Sequence, residues 1–122
     1  MRVMSLAAVA TLAENPTPLT LEERPIPVPG ADQVRIRVST CGVCHTELDE
    51  IEGRTPPAKF PIIPGHEIVG RVAASGPECK RFETGQRVGV GWIFSSSGGA
   101  DENVSDAFLA TGRDADGGYA EY

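Results

Sequence analysis

The run VRIRVSTCGVCHTELDEIEG occupies residues 34–53 and joins a strand pattern to a short helix pattern. Apolar residues alternate with arginines at its start, and this period of two predicts a β-strand over residues 33–39 with one apolar and one solvated face. Further along, apolar residues three apart among polar ones predict a short helix over residues 44–51, which ends at Gly53. The sequence therefore places a strand, a tight loop with two cysteines and a helix in direct succession.

The rest of the chain also has the composition of a β-rich protein. Fourteen glycines and ten prolines in 122 residues indicate frequent turns and short elements, and this length suits one domain with a modest core. Three prolines within residues 25–30 predict an extended connector, because proline cannot donate to a sheet ladder. The region 95–106 is rich in Ser, Gly and acids and is expected to be a surface loop. Further strands are predicted at residues 1–10, 19–23, 68–72, 87–91 and 119–122.

The net charge of the chain disfavours anionic partners. Seventeen acidic and eleven basic residues give a net charge of −6, which is the wrong sign for binding nucleic acid or an anionic membrane surface. No apolar run approaches the roughly 20 residues of a transmembrane helix, and the first residues do not resemble a secretory signal. We therefore expect a cytoplasmic protein that binds neither nucleic acid nor membrane.

The cysteines and histidines indicate metal chemistry. The three cysteines form an odd set, so at least one cannot belong to an internal disulfide. After a proline-rich stretch, the run IIPGHEIVG at residues 62–70 supplies an imidazole from His66. A Cys44 thiolate and a neutral His66 imidazole are preferred ligands of Zn²⁺, and Glu67 could support His66 or act as a transient oxygen ligand. These residues predict a zinc site.

The run CGVCHTEL at residues 41–48, followed by PGHEIVGRV at residues 64–72, resembles the zinc-dependent medium-chain alcohol dehydrogenases. The resemblance covers nearly the whole chain and implies a single GroES-like domain over residues 1–122, a mainly β partial barrel with one short helix. It implies that zinc is the catalytic metal, that NAD(P) is the cofactor of the full-length parent, and that alcohols and aldehydes are its substrates.

The same resemblance implies a role for each residue of the two motifs. Cys44 and His66 correspond to the first two zinc ligands, and Glu67 corresponds to the acid beside them. Thr46 falls where the family places the hydroxyl that bonds the substrate alcohol and begins a proton relay. His45 falls where a basic residue meets the cofactor pyrophosphate and passes the proton to solvent.

Three departures from the family pattern limit what the chain is expected to do. The family takes its third zinc ligand, a cysteine, from beyond residue 122, so Glu67 or water is expected to replace it. The nucleotide-binding domain, with its G-x-G-x-x-G run, is missing. The lobe that usually holds a structural zinc, at about residues 95–108, is shortened and free of cysteine, with Ser97 and Ser105 in place of the first and last lobe cysteines. We expect an inactive domain, truncated or engineered from its parent.

Three other readings stay open. The run Cys41-Gly42-Val43-Cys44-His45 matches the C-x-x-C-H pattern of c-type haem attachment, although the chain lacks the helical frame and export signal. The C-x-x-C pair also fits a thiol oxidoreductase. Finally, the chain could be a non-catalytic β-barrel domain that forms homo-oligomers through uncovered sheet edges and apolar surface. Trp92 and Phe94 are assigned to packing only.

Overall fold

The computed structural model describes all residues from 1 to 122, and its architecture is mainly β with one short α-helix. No Rossmann domain lies within these residues. Neither helical segment has the length and apolar character that a membrane-spanning helix requires. The elements in chain order are β1 (Arg2–Leu6), β2 (Leu19–Glu23), β3 (Val34–Cys41), α1 (His45–Ile51), β4 (Ile68–Ser75), β5 (Arg87–Val90), β6 (Ile93–Ser95), a 3₁₀ turn (Glu102–Val104) and β7 (Leu109–Ala110).

The first two strands form an antiparallel hairpin. Leu6 of β1 lies opposite Leu19 of β2, and the pairing continues to Arg2 opposite Glu23. The residues between them are bends and turns, in keeping with the Asn and Pro residues of that segment. The connector at residues 25–30 has no regular structure. The predicted strand at residues 19–23 and the extended connector are therefore confirmed, whereas β1 ends at Leu6 and is shorter than the strand predicted over residues 1–10.

The central sheet has the order β3–β4–β5 and is antiparallel throughout. The backbone of β4 approaches β3 closely at Gly70, where a side chain would overlap Ile36 and the backbone of Arg37. The alternation along β3 is present, but its apolar residues are only half-buried. The apolar face predicted for this strand is therefore only partly covered, because it opens into a shallow groove next to Val90 and Phe94.

A small apolar core connects the hairpin to the helix. Leu6, Ile51 and Ile62 are buried against one another, and Leu19 packs on them. Leu6 and Ile62 also exchange two backbone hydrogen bonds of 2.8 and 3.0 Å, which fix the loop before β4 against β1. Because Ile51 is the last residue of α1, this core holds the end of the helix in place.

The last four residues close the domain by lying between β1 and β3. Met4 donates its backbone N–H to the carbonyl of Tyr119 at 2.8 Å, and Val38 donates to the carbonyl of Glu121 at 2.9 Å. A single antiparallel bridge pairs Val3 with Ala120. The predicted strand at residues 119–122 is thus an extended segment that links two sheets through isolated backbone bonds.

Candidate metal centre

Cys44 is fixed because it is the N-cap of α1. Its backbone is extended, with φ −118° and ψ 173°, and its Sγ accepts a hydrogen bond from the backbone N–H of Thr46 at 3.3 Å. Glu47 completes the cap, since its Oε2 accepts the backbone N–H of Cys44 at 2.8 Å. This reciprocal arrangement satisfies backbone donors that a helix start leaves without partners. It also directs the sulfur toward the loop before β4.

His66 is fixed by the loop that precedes β4. Gly65 has a φ of +99°, a conformation that side chains disfavour, and a Cβ there would overlap the Tyr119 ring and the Cys41 sulfur. The carbonyl of Pro64 accepts the N–H of Tyr119 at 3.0 Å, and the carbonyl of Gly65 accepts that of Gly118 at 2.8 Å. The loop is therefore held against the closing segment, and His66 has little freedom to move.

These two elements bring a sulfur and an imidazole together. The Sγ of Cys44 lies 3.6 Å from Nε2 of His66. On the other side of the ring, Nδ1 of His66 lies 2.8 Å from Oε1 of Glu47. His66 is 7% exposed and Glu47 is 2% exposed, and neither contacting atom has a hydrogen bond of ordinary geometry. The Glu47 carboxylate faces Nδ1, and Nε2 on the opposite side of the ring faces the Cys44 sulfur, an arrangement that suits a metal-ligating imidazole.

The donor set fits a zinc ion. Zinc binds thiolate at about 2.3 Å and imidazole at about 2.1 Å, and tetrahedral geometry then separates sulfur from nitrogen by about 3.6 Å. The separation between Cys44 Sγ and His66 Nε2 has this value. Donor atoms from Cys44, Glu47 and His66 all lie within 4.8 Å of one another. Since one Glu47 oxygen accepts the Cys44 N–H and the other faces Nδ1 of His66, we assign Glu47 to orienting the ligands.

The other predicted site residues lie around this pair. Glu67 is exposed and is not one of the three clustered donors; its carboxylate packs over Gly42, where a side chain would overlap it. Thr46 is half-buried in the first turn of α1. The His45 side chain is 79% exposed, with Nε2 at 3.6 Å from Oδ1 of Asp49. The ligand role of Glu67 and the roles of Thr46 and His45 stay predictions.

A second buried carboxylate lies one turn along the helix from Glu47. Glu50 is 1% exposed, and neither of its oxygens has a hydrogen-bond partner. Burial is the main cause that raises the pKa of Glu50 to about 7, and the neighbouring Glu47 charge raises it further while Arg113 opposes the shift. The helix therefore places a buried carboxyl group, whose charged form is disfavoured, near the candidate metal ligands.

The side chains of Cys41 and Tyr119 pack against Gly65, the residue before His66. The Cys41 sulfur lies close to Gly65 and Gly118, and burial raises the pKa of its thiol. Burial also raises the pKa of Tyr119, whose hydroxyl donates to the carbonyl of Gly42 at 3.4 Å. A thiol oxidoreductase needs an attacking thiol with a lowered pKa, so the environment of Cys41 disfavours that reading.

Two residues of the site were not predicted from the sequence. Glu47 was not considered as a partner of His66, although an acid three residues after a helix-capping side chain is a recognisable capping signal. Trp92 was assigned to packing only, yet its ring lies 5.0 Å from that of His66 in an edge-on arrangement. No local pattern signals this contact, because the two residues lie in separate loops that are distant in the sequence.

Comparison with known proteins identifies the family of this chain. Residues 30–122 match the family described as the alcohol dehydrogenase GroES-like domain. The chain belongs to this family. The GroES-like fold implied by the two motifs is thus confirmed for this alcohol dehydrogenase domain.

Individual relatives give the same result. An alcohol dehydrogenase of Rhizobium meliloti (strain 1021) is 40% identical over 120 residues, which is 93% of this chain and 35% of the relative. A solved NAD-dependent alcohol dehydrogenase superposes with a TM-score of 0.86 at 25% identity, over 99% of this chain and 36% of the other. A cobalt- and zinc-bound thermostable alcohol dehydrogenase from Pyrobaculum aerophilum gives 0.83 at 26% identity, with coverages of 99% and 37%. This GroES-like domain spans about a third of the length of these relatives.

Proposed function

We propose that this chain is the metal-binding catalytic part of an NAD(P)-linked alcohol dehydrogenase that interconverts alcohols with aldehydes or ketones. The observation that carries the proposal is the placement of the Cys44 sulfur 3.6 Å from Nε2 of His66, with the opposite nitrogen held by Glu47. Relatives described as alcohol dehydrogenases, one of them bound to cobalt and zinc, support the same assignment.

Cys44 and His66 would hold zinc, with Glu67 as a further oxygen donor. When bound, zinc lowers the pKa of a coordinated hydroxyl group and so favours loss of the alcohol proton. The protein contributes the orientation: the helix cap fixes Cys44, and the Glu47 carboxylate fixes the tautomer of His66. A thiolate from Cys44 also limits the net charge that the buried site must carry.

The residues next to Cys44 would move the proton. The Thr46 hydroxyl accepts the proton of the alcohol and passes its own proton outward. His45, on the solvent side of α1, receives it and releases it to water, and its 79% exposure suits that role. The same His45, when charged, would pair with the pyrophosphate of the cofactor. NAD(P), when bound, would supply the hydride acceptor of the reaction.

These 122 residues contain no G-x-G-x-x-G run that could bind a dinucleotide, so we propose that they do not oxidise alcohols unaided. Purified chain mixed with zinc, NAD or NADP and a series of alcohols should give no change in absorbance of the nicotinamide. Turnover under these conditions would overturn this part of the proposal.

The site itself can be tested with cobalt, which replaces zinc and reports its ligands by visible absorption. A cobalt-loaded chain should show a sulfur-to-cobalt band, and added alcohol should shift its visible spectrum. Thr46→Val should weaken this alcohol response by about tenfold, since one hydrogen bond to a charged group is lost. The exposed Thr84→Val provides the matched control. An equal response in both variants would refute the role of Thr46, and absence of the sulfur band would refute the metal site.

We also propose that the chain self-associates. Large apolar side chains are exposed over its surface, among them Leu21 at 62%, Val28 at 86% and Val104 at 77%. The three small sheets also leave strand edges without partners, which favours pairing between chains. Light scattering after size-exclusion chromatography should give a mass above 12.9 kDa that rises with concentration. A constant monomer mass at high concentration would contradict self-association.

A further inference from the structure

Arg113 lies at the centre of a cluster of rings that begins at a candidate metal ligand. The His66 ring contacts the edge of Trp92, with 5.0 Å between ring centroids and planes at 77°. The guanidinium carbon of Arg113 lies 5.4 Å from the centroid of Trp92 and 5.9 Å from that of Phe108. Trp92 and Phe108 are themselves 6.1 Å apart. We call Trp92, Phe108 and Arg113 the arginine clamp.

The guanidinium of the arginine clamp is held in place by Asp114. One carboxylate oxygen of Asp114 accepts from Nη2 at 2.9 Å and from Nε at 3.3 Å. The same oxygen accepts the backbone N–H of Ala110 at 2.7 Å, so the carboxylate is itself fixed to β7. Side-chain exposures of 27% for Arg113 and 14% for Asp114 leave this pair largely shielded from water. A planar cation fixed by an acid and stacked on two rings cannot swing away freely.

The arginine clamp also connects the cysteine-free loop to the metal centre. Phe108 ends the loop of residues 95–108, whose internal order comes from a 3₁₀ turn and a 2.6 Å hydrogen bond between Ser96 and Glu102. Trp92 directly precedes β6, the strand that leads into this loop, and Arg113 follows β7, the strand after it. Arg113 therefore contacts one residue before the loop and one at its end.

We propose that Arg113 is a positioning residue of the alcohol site: through the arginine clamp it fixes the Trp92 ring against His66 and ties the loop of residues 95–108 to the metal centre. This assignment to an alcohol site rests on the proposed function, whereas the clamp itself does not. Asp114 neutralises much of the guanidinium charge, so Arg113 acts through Trp92 and does not recruit an anionic substrate.

Trp92 is the only tryptophan of the chain, so tryptophan circular dichroism and fluorescence report on the arginine clamp without an added probe. The variant Arg113→Met keeps much of the side-chain volume and loses the planar cation. It should reduce the near-UV circular dichroism of Trp92 by about half or more, because the ring loses the cation that lies over its face and holds it against His66. Arg113→Lys should recover only part of the signal, since a point charge lacks the planar fork. The exposed Arg87→Met is the matched control and should leave the signal unchanged.

A second measurement follows the loop and the metal separately. Hydrogen exchange over residues 95–108 should accelerate in Arg113→Met but not in Arg87→Met, and quenching of Trp92 by bound cobalt should weaken. Phe108→Leu, which keeps Arg113, should loosen the loop to a smaller degree and remains informative if Arg113→Met fails to fold. The proposal is overturned if Arg113→Met has the same Trp92 dichroism and the same loop exchange as the unchanged chain. If Arg113→Met does not fold, the same result in Phe108→Leu would overturn it. If the unchanged chain does not bind cobalt, that result would instead refute the proposed metal site.

Discussion

Replacing the buried Glu50 by glutamine should make the chain less sensitive to rising pH. Glu50 is 1% exposed and its pKa rises from an ordinary 4.5 to about 7, chiefly because burial disfavours the charged form. Between these two values the folded chain binds more protons than the unfolded chain. The free energy of unfolding therefore loses nothing through Glu50 below pH 4.5, and it decreases as the pH rises toward 7 and beyond. Glutamine carries no charge and should remove this loss.

The size of the effect follows from the shift. A difference of about 2.5 pKa units corresponds to about 3 kcal/mol at pH 8, and to less than about 1 kcal/mol at pH 5. The buried amide of Glu50→Gln adds its own cost at both pH values, so the informative quantity is the change between them. We expect the stability difference between variant and unchanged chain to shift by about 2 kcal/mol in favour of the variant from pH 5 to pH 8.

Urea unfolding at the two pH values, with chelator present to remove metal, measures this quantity directly. The exposed Glu78→Gln serves as the control and should show no such pH-dependent difference. The reasoning is refuted if Glu50→Gln and Glu78→Gln change stability by the same amount at both pH values. That result would mean that Glu50 is ionised in the folded chain without cost.

The other predictions concern the loop and cap around the site. Gly65→Ala should destabilise the chain by about 2 kcal/mol or more in thermal melts, because strain at its positive φ adds to overlap with Tyr119. Gly85 has a similar φ but open space around it, so Gly85→Ala should cost only about 1 kcal/mol in the same measurement. Glu47→Gln should weaken zinc binding by about 10- to 100-fold in chelator competition, since it orients His66, and unchanged affinity would contradict that role. Tyr119→Phe should alter unfolding in urea by only about 0.5 kcal/mol, because its hydrogen bond is long at 3.4 Å, and a loss several times larger would count against this estimate.

The local patterns of the sequence predicted the elements well. The period of two before Cys41, the spacing after Cys44 and the glycine at residue 53 each depend on contacts between near neighbours, and the strand and helix occur where these patterns place them. The half-burial of β3 could not be predicted, because the alternation reports which face is apolar and not what covers it.

The site could be predicted only in part. The donor types of Cys44 and His66 indicated a metal, and the structure brings them together. The contacts of Trp92 with His66 and of Arg113 with Trp92 join residues from separate loops and turns, and no periodic pattern encodes such pairs. Glu50 escaped notice because a glutamate on a short helix is usually solvated, and its burial depends on tertiary packing.

Metal stoichiometry in single-residue variants tests the convergence of sulfur and imidazole most directly. Chain prepared free of metal and titrated with zinc in a calorimeter should bind one ion per chain, and Cys44→Ser or His66→Ala should abolish that binding. Cys79→Ser, which removes a free cysteine outside the donor cluster, should bind zinc like the unchanged chain. Equal zinc binding in the Cys44→Ser and Cys79→Ser variants would contradict the account, because the sulfur at residue 44 would then have no part in the site.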